Sequence, residues 1–250
     1  MTTPPFYFDW TFWTALLALL ALVLSQFPPI SILLRRARLN VEAFERIHVA
    51  HSLGDPNATL HLVITNSGGR EVKIKSIVLN FHRDGDDQFE LKGRGYYQSP
   101  ADQSAVILTP FRLKPDEEWS HMVNFFSLRS NTEEREVNQI KSTIRNSIAP
   151  RKSEPGNDKV FLEAPSELVK PATDYFQRKF RWNSGEYEVT LNVVAEPSEA
   201  STSQQYRITV FESDNKQLVD ETKRYIYGAG VYFSDREQVP IFLPLVPLTR

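Results

Sequence analysis

The chain has no cysteine, two methionines and ten glycines in 250 residues, and its first 34 residues contain neither lysine nor arginine. Without cysteine there is no disulfide framework, thiolate zinc site, iron–sulfur cluster or thiol nucleophile. A net charge of -2, from 29 basic and 31 acidic residues, leaves no bulk positive field of the kind that holds nucleic acid. With 41% hydrophobic and 12% aromatic residues, the chain can build a substantial core, which excludes global disorder and collagen-like repeats.

The scarcity of charge is local. Asp9 is the single charged side chain before residue 35. Within that stretch, the 18 residues Trp10–Phe27 are almost wholly apolar, and as a helix they reach about 27 Å against a hydrocarbon core of about 30 Å. Pro28 and Pro29 favour a kink, and Ile30–Leu34 prolongs the stretch before Arg35, Arg36 and Arg38. The stretch lacks the basic start and small-residue cleavage site of a signal peptide. The expectation is a tail at 1–9 and a single-pass transmembrane anchor at 10–34. Trp10 and Trp13 would lie at one membrane interface, with Arg35, Arg36 and Arg38 at the other. Basic residues only after the span put the C-terminal body on the cytoplasmic side. A periplasmic or extracellular body is the alternative.

From residue 39 on, the dominant period is two. Leu60, Leu62 and Ile64 alternate with polar or outward neighbours, as do Tyr187–Val193, Tyr206–Val210 and the set Trp119, His121, Val123 and Phe125. Each reads as a half-buried strand. Gly, Asn, Asp and Pro clusters separate the runs into strands at 59–65, 72–83, 88–92, 105–113, 117–126, 186–195, 205–212 and 217–227. Within 72–83 the apolar set moves from even positions (Val72, Ile74) to odd ones (Ile77, Leu79, Phe81), which predicts a bulge near Lys75–Ser76.

One segment has a different period. Ser130 and Glu133 form a capping-box pattern, Val137, Ile140, Ile144 and Ile148 follow at spacings of three and four, and Pro150 stands just past the end. This predicts an amphipathic helix lying on the strands. The rest of 149–174 reads as a long loop with a short helical piece at Ser166–Lys170.

Three segments, Leu62–Ile74, Phe111–Trp119 and Gly185–Leu191, resemble an immunoglobulin-like antiparallel β-sandwich, the last similar to the late strand that carries a tyrosine near its start. The resemblance is to an architecture over roughly 40–212, and that fold by itself licenses no function. The expected organisation is mainly β: an N-terminal transmembrane helix, a sandwich at 35–230 with a helix–loop insertion at 130–174, and a Pro-rich apolar tail at 231–250.

Candidate chemistry is sparse. His48 and His51 are three apart, and His61, His82 and His121 fall in other strands. Asp84, Asp86 and Asp87 crowd one loop without the pattern of a calcium hand. Gly93-Arg94-Gly95 lacks the ending of a phosphate loop. Arg178–Trp182 mixes basic and aromatic residues but reads as a strand with Phe180 and Trp182 turned inward. Asn57-Ala58-Thr59 matches a glycosylation acceptor. No catalytic, cofactor or metal site is expected. The tail Val239–Leu248, with prolines at 240, 244 and 247, is a candidate extended docking strip through Ile241, Phe242, Leu243, Leu245, Val246 and Leu248. These features point to a non-enzymatic membrane-anchored interaction module that contacts the lipid bilayer and a protein partner but no nucleic acid. A membrane-tethered small-ligand sensor or an envelope carbohydrate-binding or adhesion module are the alternatives.

Overall fold

A computed structural model describes residues 10–25, 35–83, 87–99, 104–152, 162–231 and 240–248. The N-terminal helix α1 covers Trp10–Ser25. Its 16 residues extend about 24 Å at about 1.5 Å per residue, short of a bilayer core. No helix among the described residues is long and apolar enough to cross a membrane. The expected span over 10–34 is thus not found as one spanning helix, and its part at 26–34 lies outside the described residues.

The body is mainly antiparallel β. Its strands are β1 (Leu39–Ala43), β2 (Arg46–Ser52), β3 (Asp55–Asn66), β4 (Val72–Arg83), β5 (Asp87–Tyr97), β6 (Val106–Ile107), β7 (Phe111–Leu113), β8 (Glu118–Phe126), β9 (Gly185–Glu196), β10 (Thr202–Val210), β11 (Ile241–Pro244) and β12 (Val246–Pro247). Period-two burial runs along most of the long strands: Leu60, Leu62 and Ile64 of β3 and Tyr187, Val189, Leu191 and Val193 of β9 face one core.

All twelve strands belong to one hydrogen-bonded sheet: nine run in the order β11-β2-β3-β8-β5-β4-β9-β10-β12, while β1 pairs with β3, β6 with β5 and β7 with β4. This differs from the two separate sheets expected of an immunoglobulin-like sandwich, and β5 is the reason. It pairs with β4 through residues 87–92 and with β8 through residues 92–97, so it passes from one half of the sheet to the other. A register shift between Gly93 and Gly95 accompanies the change of partner, as strand-switching corners require.

The opposite seam is closed by the C-terminal strip. β11 pairs with β2 and β12 pairs with β10. The Leu245 N–H donates to Glu45 O at 2.8 Å and the Leu248 N–H to Gln205 O at 2.9 Å. Successive N–H groups of a strand point to opposite sides, so Pro240 and Pro244 turn their nitrogens away from β2, and Pro247 away from β10. The prolines therefore stand where no donor is needed. Below the strip, Gln204 Nε2 bridges to Val41 O at 2.6 Å. The sheet is nearly closed, and the exposed edges that an open sandwich would offer to a partner are largely used up among the described strands.

Several local expectations match. Register shifts between Ile74 and Ser76, leaving Lys75 as the extra residue. Buried Tyr187 near the start of β9 places its hydroxyl 2.7 Å from Asn183 O and 2.8 Å from Arg181 O, tying the strand to the segment before it. Helix α2 (Asn131–Lys152) buries Val137, Ile140, Ile144 and Ile148. Glu133 accepts the Ser130 N–H at 2.7 Å while Ser130 Oγ accepts the Glu133 N–H at 3.3 Å, a capping box.

Others are corrected. Pro150 lies inside the last turn of α2, beyond which Arg151 ties Ser147 O and Glu163 O. The short helical piece expected at Ser166–Lys170 is the start of a longer helix α3 (Ser166–Lys179), which replaces the loop expected at 171–174; its buried Val169, Ala172, Tyr175 and Phe176 form a helical stripe across Pro171. Segment 178–182 is accordingly a helix end and a short extended piece, with Phe180 and Trp182 buried as expected. The strand expected at 217–227 is helix α4 (Glu212–Asp220) followed by a 3₁₀ helix (Glu221–Tyr227). Asp214 caps it by accepting the Phe211 N–H at 3.0 Å, and buried Leu218 and Tyr225 stand seven apart, two helical turns. The run expected at 105–113 is two short strands, and 88–92 is the start of longer β5.

Residues 241–248 thus take part in the sheet. Truncation after residue 239 should remove three buried side chains, Ile241, Leu243 and Leu245, worth about 1.5–3 kcal/mol each. Urea unfolding is expected to show a clearly lowered midpoint, and an unchanged midpoint would contradict closure of the seam by this strip.

Candidate membrane attachment and docking surfaces

Helix α1 carries no charged side chain, and its large residues are exposed around the helix: Trp10 at 84%, Leu17 at 64% and Leu22 at 62%, with Trp13, Leu19, Leu20 and Val23 also exposed. An exposed apolar surface of this kind calls for an apolar partner.

The basic segment that follows is fixed to the body. Ala37 and Leu39 are buried while Arg35, Arg36 and Arg38 are exposed. The Gly68 N–H donates to Arg38 O at 3.1 Å, and Arg35 reaches Asp116 at 3.7 Å. The two backbones are so close that a Cβ on Gly68 would stand 2.5 Å from Arg36 O and 2.6 Å from Arg38 N. No flexible linker separates Arg35 from the sheet. The three arginines therefore sit at a defined end of the body, beside the turns that join β3 to β4 and β7 to β8. The opposite end of the sheet carries α2, α3 and α4.

Of the six candidate docking residues, Ile241, Leu243 and Leu245 point into the core, and Leu248 is half-buried. Phe242 and Val246 face out at 51% and 46%. Phe242 pairs with His48, their rings 3.9 Å apart, and Pro244 pairs with Arg46. Beyond Pro244 the strip leaves β2: Val246 pairs with Arg207 of β10, and Phe44, in the turn between β1 and β2, is 55% exposed. The outward side chains of the strip itself are Phe242, Pro244 and Val246.

The remaining candidates are dispersed. No group of three or more His, Asp or Glu side chains is arranged to hold a metal ion among the described residues. Asp84 and Asp86 lie outside the described residues, as does the side chain of Asp87. His61 faces Ser120 Oγ at 3.4 Å. His121 joins Tyr96, Phe111 and Trp119 in a half-buried ring cluster, with Trp119 stacked on Phe111 at 4.8 Å. Arg178 and Lys179 are ion-paired with Glu136 and Glu133, so this basic–aromatic run offers little charge to nucleic acid. Asn57-Ala58-Thr59 lies within β3, paired on both sides, not in a surface loop.

Sequence inspection also missed a sheltered polar cluster at the tip of the β2–β3 hairpin. Arg129 Nε donates to Asp55 Oδ2 at 2.5 Å, their side chains only 15% and 18% exposed, and its Nη2 reaches Ser52 O at 3.2 Å. The Tyr175 hydroxyl donates to the same carboxylate oxygen at 3.3 Å, and Lys179 lies 3.9 Å from Oδ1. Burial, reinforced by the Asp55 charge, pushes the Tyr175 phenol up to about 12. Lys179 and the Ser130 cap hold Glu133 down at about 2. A carboxylate held by a guanidinium and by a phenol that stays protonated makes a clamp. His51 beside it is the buried histidine, also lowered from its usual value by burial.

Comparison with known proteins finds no matching family model, and none of the curated proteins is similar in sequence.

The Gly68→Ala variant tests the fixed entry of the chain. The methyl group cannot fit 2.5 Å from a backbone oxygen, so residues 35–38 should lift from the sheet. Limited trypsin digestion is expected to cut at Arg35–Arg38 several-fold faster than in the wild type. An unchanged rate would show that the segment is not held there.

Proposed function

We propose that this chain is a non-enzymatic, membrane-held β module, anchored once through the apolar stretch 10–34 and presenting its nearly closed antiparallel β body to a protein partner on the cytoplasmic side. The observation that carries the reading is the pairing of an uncharged helix, its leucines exposed, with three arginines locked at one end of a stable sheet. Lipid satisfies the helix, and guanidinium groups immediately beyond it suit the headgroup level. Because basic residues follow the stretch and none precedes it, the body belongs on the inner side. Binding without catalysis fits a clamp that holds its charges fixed and the exposed Phe242 and Val246 on the outside of the C-terminal strip. The half-buried rings around Trp119 favour a second reading, a tethered sensor that takes a small aromatic-stacking ligand.

Sedimentation of lysed cells tests the anchor. Full-length protein is expected in the carbonate-washed membrane pellet, and a chain lacking residues 1–34 in the supernatant. Full-length protein that stays in the supernatant without detergent would overturn the reading. A C-terminal reporter active only outside the membrane would reverse the orientation. Purification in mild detergent with a stoichiometric protein supports the adaptor role, whereas a monomer stabilised by a small molecule supports the sensor.

A further inference from the structure

We propose that the helical cap of the body is a pH-sensitive latch, closed by the neutral imidazole of His51 and opened in acid while the sheet stays folded. His51 is the last core-facing residue before the β2–β3 turn. Its Nδ1 accepts the Gly54 N–H at 3.1 Å and its Nε2 lies 2.9 Å from Leu218 O of α4. An amide can only donate and a carbonyl can only accept, so the two partners specify the tautomer with hydrogen on Nε2. A second proton would land on Nδ1 and set donor against donor. Gly54 cannot turn aside, because its backbone, at φ +92°, lies so close beneath α3 that a Cβ there would stand 2.7 Å from Phe176 O. Relief therefore requires α3 or α4 to move.

Other groups bear on the ring. The Phe176 and Phe180 rings, at 5.1 and 5.7 Å, bury it and exclude water. Asp55 on β3 favours the charged form, but its carboxylate is already engaged by Arg129 and, at longer range, by Lys179 of α3. Tyr175 of α3 and Tyr225 of the 3₁₀ helix remain neutral phenols, held up by burial, and Glu221 lies near Tyr225. Burial outweighs the attractions, and the ring is held below its usual value of 6.5. The sign follows from linkage: the opened cap binds the proton more tightly than the closed cap. Closure is at full strength above pH 6.5. Below it the opening constant rises by up to tenfold per pH unit, levelling off under the closed-state value.

Hydrogen exchange of the full chain in detergent, corrected for intrinsic amide rates, tests this between pH 7.5 and 5. Peptides from 166–180 and 212–227 are expected to show an opening constant at least several-fold larger at pH 5, with 59–65 and 187–195 unchanged. His51→Gln should abolish the rise. Cap and sheet loosening together, a cap indifferent to pH, or the same rise in His51→Gln would each overturn the proposal. If His51→Gln fails to fold, the His51 ring protons of the wild type are titrated by NMR, and a midpoint that differs from that of cap opening overturns it. The outcome does not depend on where the body sits relative to a membrane.

Discussion

The turn at Leu53–Gly54 is where sheet and helices become one folding unit. Both residues have positive φ, +53° and +92°, so the hairpin reverses in two residues and brings β2 and β3 into the right twist. Glycine tolerates this; leucine does so at a cost that its complete burial offsets. Around the tip, Asp55 takes Arg129 and Tyr175, His51 takes Leu218, and Gly54 lies against Phe176. The β8–α2 connection, α3 and α4 thus all dock on the five consecutive residues 51–55. Trp182 extends the junction by donating to Ala50 O at 2.7 Å and packing edge-on to Phe81 and Phe89.

The other end of the sheet receives the chain from its N-terminal segment. There the chain enters with alternating burial from Ala37 onward, and Gly68 permits a backbone approach that any side chain would block. β1 pairs with β3, the strand that also carries the hairpin tip, so this entry and the tip share one strand. Between the two ends, β5 on one seam and the C-terminal strip on the other hold the halves of the sheet together. Closure of this kind leaves few unpaired strand edges, which protects a β-rich body from edge-to-edge association. What it leaves open is an outer face, where Phe242 and Val246 stand exposed.

Features written in local period were legible. Alternation located β3, β4, β9 and β10; the phase slip located Lys75; Ser130 and Glu133 announced α2; and Tyr187 marked the strand whose hydroxyl ties back to residue 183. Features that depend on pairing between distant residues were not. Nothing local tells that β5 exchanges partners halfway along, or that a proline-rich strip has its nitrogens phased to serve two strands in turn. Segment 212–227 shows how short apolar runs mislead: Leu218, Val219, Tyr225 and Ile226 suit either period until the Asp214 cap and the seven-residue spacing of buried Leu218 and Tyr225 are weighed together. At the candidate surfaces, Arg35, Arg36 and Arg38 were readable as a charge boundary, but their rigid seating depends on Gly68, thirty residues away. The clamp at Asp55 was invisible because its members come from β3, the β8–α2 connection and α3.

The cysteine-free chain makes the central claim, that α1 lies in lipid while the arginine segment stays at the wet surface of a rigid body, directly measurable. Single nitroxides placed through Leu17→Cys and Arg36→Cys in vesicle-reconstituted protein report exposure to a water-soluble relaxing agent and to oxygen. The account predicts a label at 17 that oxygen reaches and the polar agent does not, and a label at 36 with the reverse preference. Equal access of the polar agent to both positions would contradict it.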